Sequence, residues 1–362
     1  MNSESTARMH TTRAWVDIDL GALLRNGAAI AKHSGVPLIP MVKADAYGLG
    51  VVPVVRTLAK LDPFGFGVAT IEEGRELRES GAWRPILLFT PILTADFAAV
   101  REANLVPTLG TADTITAWID AGGGPWHLAI DTGVSRAGIR WDRIGDVADA
   151  TRRHPPEGAC THFHSAELDD GSMAVQEQRF RDAIAALPER PAMLHAENSA
   201  AAVRHSPSPW SVVRPGVFLY GVGSGPRASL QPEPVAHLRA RVVEMRDLQP
   251  GDSVGYDATW RSPRASRVAT LAIGYADGYR RSLGNAAEAL LNGRRVRVVG
   301  TVMMDMTVVD VTDVPCAVGD VATLFGVDGG DVLPVEEVAA RAALSPYELL
   351  TGLRQRVIRV YA

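Results

Sequence analysis

A chain of 362 residues with 46% hydrophobic and 22% charged side chains has material for two domains and a sizeable core. A net charge of −4 and a pI near 6.2 speak against a nucleic-acid footprint, and every long apolar run is broken by Gly, Pro or charge before it reaches the length of a membrane span. Met1–His10 has no apolar core for a secretory signal, and Cys160 and Cys316 offer neither a disulfide framework nor a metal motif, so both are expected as small buried residues of a metal-free cytoplasmic protein.

Apolar runs at Pro37–Val42, Phe64–Val68, Ile86–Phe89, Leu105–Thr108, His127–Ile130, Gly158–Thr161, Met193–His195 and Val212–Arg214 predict eight strands. Helix-like patterns such as Thr70–Ser80 and Met173–Leu187 separate them. Repeated strand–helix units imply parallel pairing, and eight of them fit a (β/α)₈ TIM-like barrel better than a doubly wound open sheet. After about Ala236 the runs alternate and grow rich in valine: Leu238–Val243, Arg267–Ile273, Arg295–Val299, Thr307–Val309, Asp320–Leu324 and Gln355–Tyr361. Gly251-Asp252, Asn292-Gly293 and Gly319-Asp320 punctuate them, which predicts a mainly antiparallel C-terminal β-domain with a helix over Pro334–Ala343. The expected division is 11–236 for the barrel and 237–362 for the β-domain. A strand near 14–20 either joins the second domain or caps the first.

A barrel carries its site at the C-terminal ends of its strands. Lys43 stands at the end of the first, before the turn Ala44-Asp-Ala-Tyr47-Gly-Leu-Gly50. A buried ammonium is costly, so a lysine there either snorkels to solvent or serves as an amine neutral enough to form a Schiff base with pyridoxal phosphate (PLP). Arg136 follows strand five, His162 and His164 follow strand six, Asn198 and Ser199 follow strand seven, and Arg214 ends strand eight before Pro215-Gly216-Val217. Ser199, the N–H groups of Gly216 and Val217, and the Tyr47 hydroxyl could hold a phosphate; taken alone, Ser199 is equally a helix cap and Gly216 a turn glycine. Arg214 could donate to a ring nitrogen without protonating it, which favours reprotonation at Cα over decarboxylation or transamination. By itself it could equally be an ion-pair residue, and His162 a core histidine. Tyr256 and Tyr275 could be packing residues, although the turn Val254-Gly-Tyr256-Asp could point into a site.

Taken together, Val42-Lys43-Ala-Asp-Ala-Tyr47-Gly-Leu-Gly50, Asp131-Thr-Gly-Val-Ser-Arg136, Thr161-His162-Phe163, Asn198-Ser199-Ala, Arg214-Pro-Gly216, Val254-Gly-Tyr256-Asp-Ala-Thr, Ile273-Gly-Tyr275-Ala-Asp-Gly, Met304-Asp305 and Ser345-Pro-Tyr347-Glu resemble the alanine racemase family, from about Trp15 to Tyr361. The resemblance implies a PLP enzyme that interconverts L- and D-alanine and supplies D-alanine for peptidoglycan. It implies Lys43 as the Schiff-base lysine and one acid/base, with Tyr256, from the partner of a head-to-tail homodimer, as the other. It implies Arg214 at the ring nitrogen, His162 beside the ring, and Tyr47, Ser199, Gly216, Val217 and Tyr347 at the phosphate. Arg136 and the Met304 N–H are implied at the substrate carboxylate, with Asp305 adjoining and Tyr275 and Tyr347 at a narrow entrance.

The chain departs from the family's pattern at Ala129, where a carbamylated lysine often steadies the arginine, and at His164, Glu197 and Met303. No catalytic residue is lost, although a wider or shifted amino-acid range is an alternative to alanine. A decarboxylase of the same fold would be expected to place an acid at the ring nitrogen and a cysteine in the β-domain. A non-catalytic PLP-binding protein would be expected to lack the domain that carries Tyr256.

Overall fold

The computed structural model describes residues 12–225 and 228–362, so Met1–His10 and the first residue of the expected barrel domain lie outside the described residues. Strand β1 (Ala14–Ile18) precedes a ring of short parallel strands. These are β2 (Phe66–Val68), β3 (Ile86–Leu88), β4 (Val106–Leu109), β5 (His127–Asp131), β6 (Ile139–Arg140), β7 (Gly158–Cys160) and β8 (Met193–His195). They pair in the order β2-β3-β4-β5-β7-β8, with β6 added at the end of β5. The expected strand at 212–214 and most of that at 37–42 form no continuous ladder. They are held by the isolated parallel bridges Leu38–Val213 and Met41–Gly67. Pro37, Pro40 and Pro215 have no N–H to donate, so a regular ladder cannot run through them. Single bonds close the ring instead: Ile39 N–H to Val213 O (2.8 Å), Val42 N–H to Gly67 O (2.9 Å) and Ser211 N–H to Leu194 O (2.8 Å). The expected TIM-like barrel is therefore present, with two of its staves reduced to bridges.

The connecting helices begin where their sequences say they should. The helix Ile71–Glu79 starts at Thr70, whose hydroxyl accepts from Glu73 N–H while Glu73 accepts from the Thr70 N–H. The helix Ser172–Ala185 buries Phe180, Ala183 and Ile184 against the barrel. Among the described residues no helix is long and apolar enough to cross a membrane.

The C-terminal part is built from β9 (Ala236–Leu248), β10 (Ser253–Val254), β11 (Trp260–Arg261), β12 (Ser266–Leu271), β13 (Glu288–Leu291), β14 (Arg294–Arg297), β15 (Thr307–Asp310), β16 (Val321–Asp328), β17 (Asp331–Leu333) and β18 (Ile358–Tyr361). The long β9 is its spine, antiparallel to β1, β12 and β16. β1 lies between β9 and β18, parallel to the latter, so the first strand of the chain is paired with the last. Asn292 and Gly293, both at positive φ, make the two-residue turn between β13 and β14. β13 itself, Glu-Ala-Leu-Leu, was not among the expected strands: its composition favours helix, and only pairing with β14 and β16 makes it extended. Cys160 is buried as expected, whereas Cys316 is only partly so, because it sits in the surface connection between β15 and β16.

Candidate active site

The C-terminal mouth of the barrel opens into a cavity of about 1090 Å³. Ten of the expected site residues line it: Lys43, Tyr47, Arg136, His162, Asn198, Ser199, Arg214, Gly216, Val217 and Tyr347. Lys43 and Tyr47 are presented by an unusual piece of backbone. Ala44, Asp45, Ala46 and Tyr47 all have φ between 51° and 57° with positive ψ, so they form a left-handed helical turn without glycine. Such a conformation costs roughly 1–2 kcal/mol for each L-residue. Its neighbours hold it there. Glu73 accepts from the Ala44 and Ala69 N–H groups (2.7 Å each), and Asp45 accepts from Val51 N–H (2.7 Å). The Arg359 guanidinium donates to Gly48 O. Gly48, at φ 83°, packs so closely on Leu350 O that a Cβ would come within 2.5 Å of it. The turn sets Lys43 and Tyr47 on the cavity wall. Burial and the nearby Arg136 charge lower the basicity of the Lys43 amine, with Glu73 opposing them.

Arg214 is buried on the cavity floor. Its Nη1 donates to His195 O (2.5 Å) and His195 Nδ1 (2.8 Å), and its Nη2 to Thr161 O (2.6 Å) and Ala196 O (3.1 Å). Among the described residues no carboxylate pairs with this guanidinium and its Nε–H has no acceptor. Because arginine only donates, His195 Nδ1 must accept. His195 Nε2 then carries the proton and donates to His127 Nδ1 at 2.8 Å. Burial and the Arg214 charge push His127 down to about 4 and His195 well below its ordinary value. His162 falls to about 3 for the same two reasons, aided by Arg136 and Lys43. These imidazoles are neutral at neutral pH, so the positive charge on the floor stays with Arg214.

A cradle of hydroxyl and N–H groups also lines the cavity. Ser199 begins a four-residue helix capped by Asn198, whose side chain accepts from Ala201 N–H. The Ser199 hydroxyl oxygen accepts from the N–H groups of Gly216 (2.9 Å) and Phe218 (3.3 Å), while the Val217 N–H between them has no acceptor among the described residues. The Tyr47 ring stacks on Tyr220, with centroids 4.7 Å apart, and its hydroxyl stands over Gly216, where a Cβ would meet it at 2.5 Å. Tyr347 adjoins Tyr47, with centroids 6.2 Å apart.

Arg136 is exposed on the rim with no hydrogen bond to a described residue, and Ala129 lines the cavity without offering it a partner. The remaining expected residues lie elsewhere. Tyr256 (68% exposed), Tyr275 (40%) and Met304 (52%) stand on the surface of the β-domain and do not line this chain's cavity. Asp305 lies beside them, with its carboxylate engaged by Arg356 (2.6 Å). The sequence reading missed the floor pair His127 and His195, both inside predicted strands, where only a count of inward-facing positions could have marked them. It also missed Gln176, whose amide donates to Thr132 Oγ1 and His162 O and so fixes the strand end that carries His162.

Residues 18–224 match the family described as alanine racemase, N-terminal domain, and residues 235–361 match alanine racemase, C-terminal domain. An alanine racemase from Deinococcus radiodurans is 38% identical, over 96% of this chain and 98% of its own length. The crystal structure of alanine racemase from Bartonella henselae with covalently bound pyridoxal phosphate superposes with a TM-score of 0.90 at 28% identity, covering 97% of this chain and all of that one. The alanine racemase structure from Streptomyces coelicolor gives 0.89 at 30% identity, covering 98% and 99%.

Proposed function

We propose, from the fact that this chain belongs to the alanine racemase family, that it is a PLP-dependent enzyme interconverting L- and D-alanine. The observation that carries the reading is the convergence on one cavity of a lysine of lowered basicity, a buried arginine that no carboxylate among the described residues bonds, and a cradle of hydroxyl and N–H donors. These residues fit PLP. Lys43 would attach it, and the Arg214 Nε–H would meet its ring nitrogen. Tyr47, Ser199, Gly216, Val217 and Tyr347 would hold its phosphate, the lack of a side chain on Gly216 letting the Tyr47 hydroxyl stand close over its backbone. When bound, the cofactor withdraws electrons from the substrate's Cα–H bond and makes that proton removable.

The protein's own side chains select the reaction. Arg214 can donate a hydrogen bond but cannot give up its proton, so it would leave the ring nitrogen unprotonated and the electron withdrawal supplied by the cofactor moderate. Return of a proton to Cα is then favoured over loss of the substrate carboxylate. Neutral His162, on the cavity wall, would stand beside the ring without adding charge. Lys43 moves the proton on one face of Cα, and a phenol must do so on the other.

Tyr256 is the phenol proposed, and its exposure on the β-domain supports its delivery to a second copy of the chain in a homodimer. Tyr275, Met304 and Asp305 would arrive with it. The Met304 N–H, with no acceptor among the described residues, would join Arg136 at the substrate carboxylate. The test is a panel of L- and D-amino acids incubated with the PLP-loaded protein and followed by optical rotation. Alanine should lose optical activity from either enantiomer. Release of CO₂, or alanine that keeps its rotation, would refute the reading.

A further inference from the structure

Three consecutive carbonyls hold Arg214. His195 O and Ala196 O accept from its guanidinium, and Glu197 O accepts from its backbone N–H at 2.9 Å. Two residues on, Ser199 Oγ binds the N–H groups of Gly216 and Phe218. The segment 195–199 therefore places the guanidinium and the donor cradle together. Its outer side is fastened by one side chain. Glu197 is fully buried, although a buried carboxylate costs several kcal/mol unless its oxygens are satisfied. Both are satisfied from a neighbouring loop: Ser208 Oγ donates to one oxygen at 2.5 Å, and His205 Nδ1 bonds the other. The loop is itself fixed, since Ser208 N–H donates to Ser34 O (2.8 Å) at the end of the helix Leu20–Ser34 and Ser208 Oγ accepts from Trp210 N–H (3.2 Å). Neither Glu197 nor His205 nor Ser208 lines the cavity.

We propose that Glu197 is a positioning residue for the reaction: its clamp on Ser208 and His205 holds the carbonyls that aim Arg214 and the serine that shapes the phosphate cradle. The Glu197 charge also favours the cationic form of Arg214, and the bond between Glu197 and His205 raises the basicity of that imidazole, both in keeping with a single coupled unit. The inference rests on the racemase reading.

The test compares PLP-loaded wild type with Glu197→Ala, Glu197→Gln and Ser208→Ala, measured per cofactor-loaded site well below each thermal midpoint. A shift of an aimed group by a fraction of an ångström is felt mainly in turnover. Glu197→Ala should therefore lower kcat for alanine by about 10- to 100-fold with KM changed less than about threefold, and move the visible absorbance of the bound cofactor. Glu197→Gln, which can still accept from Ser208 and pair with His205, should recover all but about threefold of the loss. Should Glu197→Ala fail to fold, Ser208→Ala, which removes one hydroxyl, should show the same kcat loss on a smaller scale with the same absorbance change. Unchanged kcat and absorbance in the folded variants, or equal damage in Glu197→Gln and Glu197→Ala, would overturn the proposal. Failure of the wild type to racemise alanine would instead overturn the function itself.

Discussion

Gly216→Ala tests the phosphate cradle by adding a single methyl group. Gly216 has φ −117°, outside the left-handed region, and the added methyl is judged by the space it meets. The new Cβ would stand 2.5 Å from the Tyr47 hydroxyl oxygen and 3.2 Å from Tyr47 Cζ, with Met41 Cβ at 3.5 Å. Ordinary contact requires the hydroxyl to retreat by ~1 Å, while the ring behind it is stacked on Tyr220 and its backbone is held in the left-handed turn. Overpacking of this kind costs about 1–3 kcal/mol. Losing the hydroxyl from a charged phosphate costs about 1.5–3 kcal/mol, or roughly 10- to 150-fold in PLP affinity. The assay is fluorescence titration of the cofactor-free protein with PLP, paired with thermal melts. Tyr47→Phe alone should weaken PLP by a similar factor. The double variant should lose little more than Tyr47→Phe, within about threefold, because the two changes remove the same contact. Full additivity, or a Gly216→Ala protein that binds PLP like wild type, would refute the reasoning.

Lys43→Ala should abolish both the visible absorbance band of the cofactor-loaded protein and racemisation; survival of either would remove this lysine from the role. Tyr256→Phe should slow the two directions unequally when isotope exchange at Cα is followed, and equal slight losses would argue against two bases on opposite faces. Mixing Lys43→Ala with the slowed Tyr256→Phe subunits should raise activity above that of either parent, to about a quarter of wild type, since half of the dimers regain one of two sites; no recovery would sink the shared site. His127, at about 4 in the fold against 6.5 unfolded, contributes stability that is complete above pH 6.5 and drains away as pH falls toward 4, because the unfolded chain takes up the proton first. The loss is about 3 kcal/mol. Urea titrations at pH 7.5 and 4.5 should show a shallower loss in His127→Asn, and identical slopes would contradict the buried neutral imidazole. His205 contributes in the opposite sense, its stability lost as pH rises through its raised value, so the comparison with the variant isolates His127.

Much of this protein is written locally. Period-two and continuous apolar runs placed β2 to β5, β7 and β8, because burying them needs only the alternation and the turn residues on either side. Thr70 and Glu73 mark a helix start, and Asn292-Gly293 a hairpin, for equally local reasons. Lys43, Arg214 and Ser199 were legible because polar residues at the ends of apolar strands need an occupation.

What the chain's neighbourhood in space decided is of another kind. Pro37–Val42 reads as a strand, yet the missing N–H groups of Pro37 and Pro40 reduce it to bridges that Val213 and Gly67 complete from distant sequence. Glu-Ala-Leu-Leu becomes a strand because β14 and β16 satisfy its backbone. The left-handed turn at Ala44–Tyr47 depends on Glu73, Leu350 and Arg359, all distant in sequence, as well as on the local bond from Val51 N–H to Asp45, so its unfavourable backbone is not readable from the turn's own residues. The proton order along Arg214, His195 and His127 likewise depends on a guanidinium that can only donate, once packing has buried the three together. Local pattern fixes which groups must be buried; the partners that make their burial tolerable come from elsewhere in the fold.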